Sequence, residues 1–376
     1  MLLTQAAAIT AITLAAATPA AAKTGKLEAA YVVMGAQGSV ARAVFKDGDT
    51  CPSLSLKGSA QPSAPMSVRQ LPQTGKNAAF PVLVCELAIP ADTTEATLGT
   101  TKFPLPPATL GSIAVIGDTG CRLKAAKAAN PADADHEEGG KFQDCDKKSQ
   151  WPFSTLAASV AKKKPQLLVH VGDYIYRESP CPKGDKGCKG SPYGDTWATW
   201  KADFFKPAAP LLAAAPWIAT RGNHEICRHR AGLGFMIFLD PRLAGGTTPA
   251  CNEDIIPQFA VTVGGQQFVM LDSSNAPDIC PSGDCDKTYA AQFAAMQPAA
   301  GAWLVSHRPV WGFKNKGVSL NATLQGEAMR MNVPIIYLAP EEARLIEARE
   351  GHGLARTWEG WKHKVMGTDA MAPAAK

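Results

Sequence analysis

The strongest constraint on the fold is a recurring pattern in which a short apolar run ends in a polar cluster. Ser112-Ile-Ala-Val-Ile116 runs into Gly117-Asp118-Thr119-Gly120, and Leu167-Leu-Val-His-Val171 into Gly172-Asp173-Tyr174-Ile175-Tyr176. Trp217-Ile-Ala-Thr220 leads to Gly222-Asn223-His224-Glu225, and Ala302-Trp-Leu-Val305 to Ser306-His307-Arg308-Pro309. A fifth run, Gln267–Leu271, ends at Asp272. Runs that are apolar on both faces suit strands covered on both sides, so the expected class is α/β with a layered α/β/α domain. Open α/β sheets place their ligand sites beyond the carboxyl ends of the strands. Each polar cluster offers oxygen or imidazole donors at such an end, and glycine at 117, 172 and 222 permits a sharp turn there. Any one of these Gly-Asp or His residues would read as a turn or a structural side chain; four in this order point to a shared site.

The segment before residue 108 has a different texture. Leu27–Met34, Ala41–Phe45 and Phe80–Ile89 are β-type runs separated by turns rich in Gly, Pro and Ser, which predicts a small β-sandwich-like domain over 23–107. Phe103-Pro-Leu-Pro-Pro107 reads as a stiff linker into a main domain over 108–330, followed by an atypical tail over 331–376. One helix is expected around Trp197, Trp200, Lys201 and Phe204, with Asp195 as its N-cap and Pro207 as its stop. The helical spacing of the tryptophans places them in the core.

Residues 1–22 carry no charge and end in small residues, the pattern of a signal peptide cut before Lys23, although its basic leading segment is missing. The ten cysteines fall into near neighbours: Cys51/Cys85, Cys121/Cys145, Cys181/Cys188, Cys227/Cys251 and Cys280/Cys285. Pairwise closure of short loops fits an oxidising compartment, and no Cys-x-x-Cys spacing suggests zinc. The protein is therefore expected to be secreted or periplasmic, with no stable membrane insertion once the signal is removed. A formal charge of +5 is too small and too scattered to argue for nucleic acid.

The order of the four clusters resembles the calcineurin-like metallophosphoesterases, and within them the purple acid phosphatase-like branch. That resemblance implies two divalent or trivalent metal ions, iron with zinc, manganese or a second iron. Asp173 would bridge them, Asp118 and Tyr176 would serve one, and Asn223 and His307 the other. His224 would hold no metal but would give a proton or hydrogen bond to the phosphate or the leaving oxygen. Gly120 stands where many relatives have a His, and Tyr176 supplies the replacement donor. Strand alternation would point Tyr174 and Tyr176 the same way, which leaves core packing open for Tyr176. Asp272 lies outside the set and reads as a turn or supporting residue.

The last motif of the family is not intact. Gly351-His352-Gly353-Leu354 has Leu where a second His is expected, and Glu341–Glu350 before it has helical spacing. His352 remains a candidate metal ligand and His363 a weaker one. Lys183, Lys186 and Lys189 lie in the Glu178–Gly190 loop around Cys181 and Cys188 and could steer anions, as could Arg228, His229 and Arg230; solvated surface is the plainer reading of both. Asn321-Ala-Thr323 fits a glycosylation sequon. The implied function is an exported phosphoesterase in which a metal-bound hydroxide attacks small phosphate monoesters, with phosphodiesters second. A catalytically impaired metal- or phosphate-ester-binding relative and a purely structural secreted domain are the alternatives.

Overall fold

The computed structural model describes residues 24–125, 140–227, 230–253 and 255–275. Beyond these it describes 283–308, 313–314, 317–318, 322–331, 335–336, 343–349 and 352–356. The expected signal segment, Arg228, His229, Cys280, Asn321 and His363 lie outside the described residues.

The front region is built from hairpins. β1 (Lys26–Gly35) folds back into β2 (Gly38–Lys46). After them come β3 (Ser53–Lys57), β4 (Ser63–Pro65), β5 (Ser67–Gln70), β6 (Val82–Ala88), β7 (Glu95–Leu98) and β8 (Thr101–Phe103). Alternation in β3 buries Leu54 and Leu56 and exposes the residues between them, the period of a strand with one wet face. The β4-β3-β7-β8 sheet packs these residues against Val32, Met34, Ala41 and Leu83 of the other strands, and Cys51–Cys85 ties the two layers together. The expected sandwich-like front is thus present. It is also continuous with the rest of the molecule, because β1 pairs in parallel with a strand far along the chain at Val33↔Trp217.

The second part of the chain contains β9 (Ser112–Ile116), the short pair β10 (Leu123–Lys124) and β11 (Lys141–Phe142), α1 (Phe153–Lys162) and β12 (Leu167–His170). Next come α2 (Trp197–Trp200), α3 (Lys206–Ala214), β13 (Trp217–Ala219), α4 (Gly232–Phe238), β14 (Phe259–Val263), β15 (Gln266–Leu271), α5 (Gly283–Ala295) and β16 (Trp303–Ser306). The chain continues through β17 (Phe313–Lys314), β18 (Gly317–Val318), α6 (Ala322–Met331), β19 (Ile335–Ile336), β20 (Ala343–Arg349) and β21 (His352–Arg356). A nine-stranded sheet runs in the order β21-β20-β9-β12-β13-β1-β2-β6-β5, and a four-stranded sheet in the order β14-β15-β16-β19.

Two sheets, rather than one, lie between the helical layers. Val115, Val169 and Ile218 of the large sheet meet Phe268, Met270 and Val305 of the small one. The outer face of the large sheet packs Ala114, Leu168 and Trp217 against Phe153, Trp200, Phe204 and Phe238, and the outer face of the small sheet packs Leu271 and Leu304 against Tyr289 and Leu324. Burial on both faces explains why β9, β12 and β13 read as unbroken apolar runs.

Three local expectations need correction. The helix beginning at Trp197 is capped by Thr196, whose side chain accepts from the Thr199 N–H; Asp195 instead binds Trp200 Nε1 and the Gly234 N–H. Pro207 does not end the run. A π-helical turn over Lys201–Phe205 leads into α3, and proline is tolerated in a first turn, where its missing N–H has little to lose. The tryptophans are core, as expected. Finally, the segment read as a helix over Glu341–Glu350 contains a strand: Ala343–Arg349 pairs antiparallel with β9, from Ala343↔Ile116 to Glu347↔Ser112. The edge of β9 needs backbone partners, and that tertiary demand overrides local spacing.

Candidate metal centre

β9, β12 and β13 run parallel and end on one rim of their sheet, and the loop after β16 meets that rim through His307, whose Nδ1 lies 2.8 Å from the Val171 carbonyl oxygen. Asp118 and Asp173, the first acids after β9 and β12, have φ of 54° and 61°. A left-handed backbone at a non-glycine residue costs roughly 1–3 kcal/mol and persists where the surroundings over-determine it. The two turns hold each other: Asp118 N–H donates to Gly172 O at 3.0 Å and Thr119 N–H to Asp173 O at 2.9 Å. A Cβ on Gly222 would lie 2.1 Å from Asp173 Oδ1, so only glycine lets the third loop approach the second this closely.

Glu225 braces this junction. Its buried carboxylate accepts from the N–H groups of Asp173 (2.9 Å), Tyr174 (2.8 Å), Ile175 (3.2 Å) and Gly222 (3.1 Å). One side chain thus fixes the loop after β12 against the loop after β13. Beneath it, Asp203 accepts from Tyr176 N–H and pairs with Arg177.

Five of the candidate ligands converge. Tyr176 Oη lies 2.6 Å from Asp118 Oδ1 and 2.7 Å from Asp173 Oδ2, two carboxylate oxygens of which its single O–H can serve only one at a time. Burial, then the Asp118 and Asp173 carboxylates, pushes its phenol well above its ordinary value, in keeping with the donor role. Burial would raise Asp173 too, but His307, His224, the His224 N–H and the Tyr176 hydroxyl outweigh it and keep the carboxyl ionised. His307 Nε2 lies 2.8 Å from Asn223 Oδ1 and 3.5 Å from Asp173 Oδ1. Its Nδ1 faces the Val171 carbonyl at 2.8 Å, which can only accept, so the proton sits on Nδ1. Burial, partly offset by the Asp173 carboxylate, lowers the imidazole's pKa, and with the proton on Nδ1 the Nε2 lone pair is turned towards the Asn223 and Asp173 oxygens. Electron-pair donors turned towards one another in this way can be satisfied by a cation. Hard oxygens with one imidazole and one phenol suit divalent or trivalent ions, so the residues fit a metal centre.

His224 stands beside this set. Its N–H donates to Asp173 Oδ1 at 2.9 Å, its Nε2 is 3.8 Å from Asp173 Oδ2, and its ring centre is 4.0 Å from that of Tyr176. Its Nδ1 is 2.6 Å from Glu178 Oε1, close in distance but off the axis of a well-formed hydrogen bond. Burial opposes ionisation of Glu178, but His224, Arg230 and Lys124 bring its pKa down to about 2.

The other candidates go elsewhere. Tyr174 does not share the direction of Tyr176. Residues 172–176 are not a strand, and the Tyr174 hydroxyl points into the core towards His170 O and Thr220 O. Asp272 Oδ2 accepts from both Nε and Nη2 of Arg221, the residue before Gly222, and so supports the third loop without joining the cluster. His352 is not brought to the centre. It pairs with Arg349, six residues along β20 from the Ala343↔Ile116 pair, so its backbone sits roughly 20 Å from the site end of β9. Sequence reasoning missed Glu178, Glu225 and Asp203 as supporting groups. The only available signals were the position of Glu178 five residues after Asp173 and the place of Glu225 directly after His224.

Of the five expected disulfides, Cys51–Cys85, Cys121–Cys145, Cys181–Cys188 and Cys227–Cys251 are formed. The pairing of Cys280 with Cys285 falls outside the described residues. No helix among the described residues is long and apolar enough to cross a membrane.

A strand-end cluster of this kind, two acids with an amide, an imidazole and a phenol, belongs with the dinuclear metallophosphoesterases. The calcineurin-like phosphoesterase family model matches residues 111–316, more than half of the chain, and the chain belongs to that family. Among solved structures, the purple acid phosphatase PPD1 from yellow lupin (Lupinus luteus) seeds superposes with a TM-score of 0.50 at 13% identity, over 84% of this chain and 58% of that one. PhoD aligns with a TM-score of 0.44 at 13% identity, over 86% of this chain and 72% of that one. The chain therefore spans less than two thirds of the lupin protein. No curated protein sequence matches it.

Proposed function

We propose that the protein is an exported hydrolase of small phosphate monoesters, with Asp118, Asp173, Tyr176, Asn223 and His307 holding two metal ions. The observation that carries this reading is the convergence of Asp173 on both halves of the donor set. Its Oδ2 meets the Tyr176 and Asp118 side, and its Oδ1 faces His307. A carboxylate with one oxygen towards each group is suited to bridging. The Tyr176 phenol supports a trivalent iron on its side, with zinc, manganese or iron(II) on the other. Bound ions would supply the positive charge that screens an ester phosphate and acidifies the attacking water. The chain's own part is to hold the donors rigidly through Glu225 and the left-handed turns, and to present His224 as the group that protonates the leaving oxygen. The four disulfides support export to an oxidising compartment.

A second reading, an impaired relative that binds metal without turning over, has one observation in its favour: the strand register keeps His352 away from the cluster. Elemental analysis of protein purified from an oxidising compartment, with assays on a chromogenic phosphomonoester and phosphodiester, separates the two. Two ions per chain with faster monoester turnover is the expected result. One ion without turnover supports the impaired relative, and absence of metal overturns both.

A further inference from the structure

One acid reaches the metal centre from a π-helical turn. Lys201–Phe205 joins α2 to α3, and three consecutive residues in it, Asp203, Phe204 and Phe205, are buried. Side chains at successive helical positions point in widely different directions, so all three are buried only by meeting different neighbours. Phe204 packs edge-on against Trp217 and Phe205 against Phe238, whereas Asp203 leaves this aromatic core for the loops after β9 and β12. Single π-turns next to helices frequently mark functional sites.

The loop after β12 needs that acid. Residues 173–176 lie outside any strand, so their N–H groups require other acceptors. Glu225 takes the first three, and Asp203 Oδ2 takes the fourth, from Tyr176 at 3.2 Å. Asp203 Oδ1 pairs with Arg177 Nε, and the Cys121 N–H also faces this carboxylate. The Arg177 guanidinium lies 5.5 Å from the centre of the Trp151 ring, and Trp151 Nε1 donates to Thr119 O at 2.8 Å. Contacts therefore run from Asp203 to the loop that carries Asp118. That loop lies flat against Tyr176, since a Cβ on Gly120 would be 2.5 Å from Tyr176 N and 2.8 Å from its Cδ2.

Two carboxylates thus divide the work. Glu225 joins the Asp173 loop to Gly222-Asn223, and Asp203 joins Tyr176 to the Asp118 loop. We infer that Asp203 is a positioning residue for the Tyr176 phenol, and that it controls the metal position served by Asp118 and Tyr176 separately from the one served by Asn223 and His307. This rests on the phosphoesterase reading and gives each half of the centre its own brace. A phenol oxygen stands far from its Cα, so a small rotation of the Tyr176 backbone carries it out of reach of an ion. Asp118, on a shorter side chain, keeps its own backbone bond to Gly172 O.

The test uses Asp203→Asn, which keeps the shape and removes the charge. That variant leaves Arg177 buried without its partner, which endangers folding, so Asp203→Asn combined with Arg177→Gln is made beside it. Wild-type protein and both variants are stripped of metal, reloaded with ferric iron and then zinc, and compared by elemental analysis and chelator competition. A phenolate bound to ferric iron absorbs visible light, so the band reports Tyr176 directly. Iron affinity is expected to fall about 10–100-fold with a weakened or shifted band, while zinc affinity changes less than about threefold. In the metal-free proteins, amide exchange at Tyr176 is expected to quicken about tenfold, a readout that needs no ion. Wild-type iron affinity, band and exchange in a folded variant overturn the role of Asp203 and leave the phosphoesterase reading intact. Equal loss of iron and zinc overturns the separate control, and a paired variant that does not fold makes Asp203 merely structural. Wild-type protein that takes up neither ion overturns the inference and the phosphoesterase reading together.

Discussion

The nine-stranded sheet has two halves that differ in strand direction and in chemistry. In one, β9, β12 and β13 run parallel, and their ends deliver Asp118, Asp173 and Asn223 to one rim. In the other, β1, β2, β6 and β5 alternate in direction, and their turns are divided between both rims. The antiparallel half is no less well built: Val40, Val44, Leu83 and Val84 are fully buried, and Cys51–Cys85 staples it. It gathers no comparable cluster because alternate connections leave at opposite ends. Parallel pairing is thus what turns a series of strand-end motifs into a site. The antiparallel half contributes support, through Arg42 and Arg69, whose guanidinium groups reach the last carbonyls of α4 and the residues just after it.

The sharpest way to break this contrast is to remove a donor from the parallel half. Asp173→Asn should weaken metal affinity by at least a hundredfold, on the order seen when ligand networks are disrupted, and abolish turnover with it. His224→Ala should keep the metal and lose about a hundredfold in kcat. Elemental analysis and steady-state kinetics on the two variants check the pair; a metal-replete Asp173→Asn would remove the bridging assignment.

A smaller effect compares the staples of the two halves. Replacing Cys51 and Cys85 by Ser should cost about 3–4 kcal/mol of stability with metal stoichiometry unchanged. Replacing Cys227 and Cys251 should cost a similar amount and also loosen metal binding about tenfold. Arg221, which precedes Gly222-Asn223, touches Cys227 Sγ at 3.5 Å as well as Asp272. Urea denaturation and metal titration with a chelating indicator distinguish the two outcomes. Equal metal affinity in both variants would deny the second disulfide its role at the site.

The smallest effect is a pH dependence set behind the site. Burial pushes Asp195 up to about 6 from its ordinary value of 3.8, against the donors Trp200, Gly234 and Leu233. Between these values the folded state binds a proton that the unfolded chain has released, so stability falls as pH rises from about 4 to 6. Asp195→Asn should reduce the stability lost across that range by about 2–3 kcal/mol. Midpoints of urea unfolding measured across this range provide the check; an unchanged slope would locate the buried proton elsewhere.

Much of the fold and most of the site can be read from individual residues. Ser112–Ile116 is apolar on both faces, and it is a strand with those bounds. Asp118, Asp173, Tyr176, Asn223, His224 and His307 stand at loop positions fixed by the short distance between each strand and its following turn. The segment around 341–350 reads as a helix because Leu345 and Glu341 fit a helical period, whereas the unpaired edge of β9 decides the matter. Tyr174 and Tyr176 could not be separated by alternation, since the turn with Asp173 at φ 61° rotates the chain between strand and loop. Glu225 looks like the end of a motif, and its grip on four N–H groups emerges only when the second and third loops are side by side.

Sequence alone determined which strands are buried on both faces, where each ends, and which donor atoms wait there, because these depend on hydropathy period and residue chemistry over a few neighbouring positions. The tertiary structure decided which ends meet and which do not. It set Asp173 between His307 and Tyr176, placed His352 of β21 beside the far end of β20, and joined the front sandwich to the main sheet through β1. Such outcomes depend on strand order, direction and register between segments far apart in the chain, where backbone hydrogen bonding and packing compete globally and no local pattern records the result.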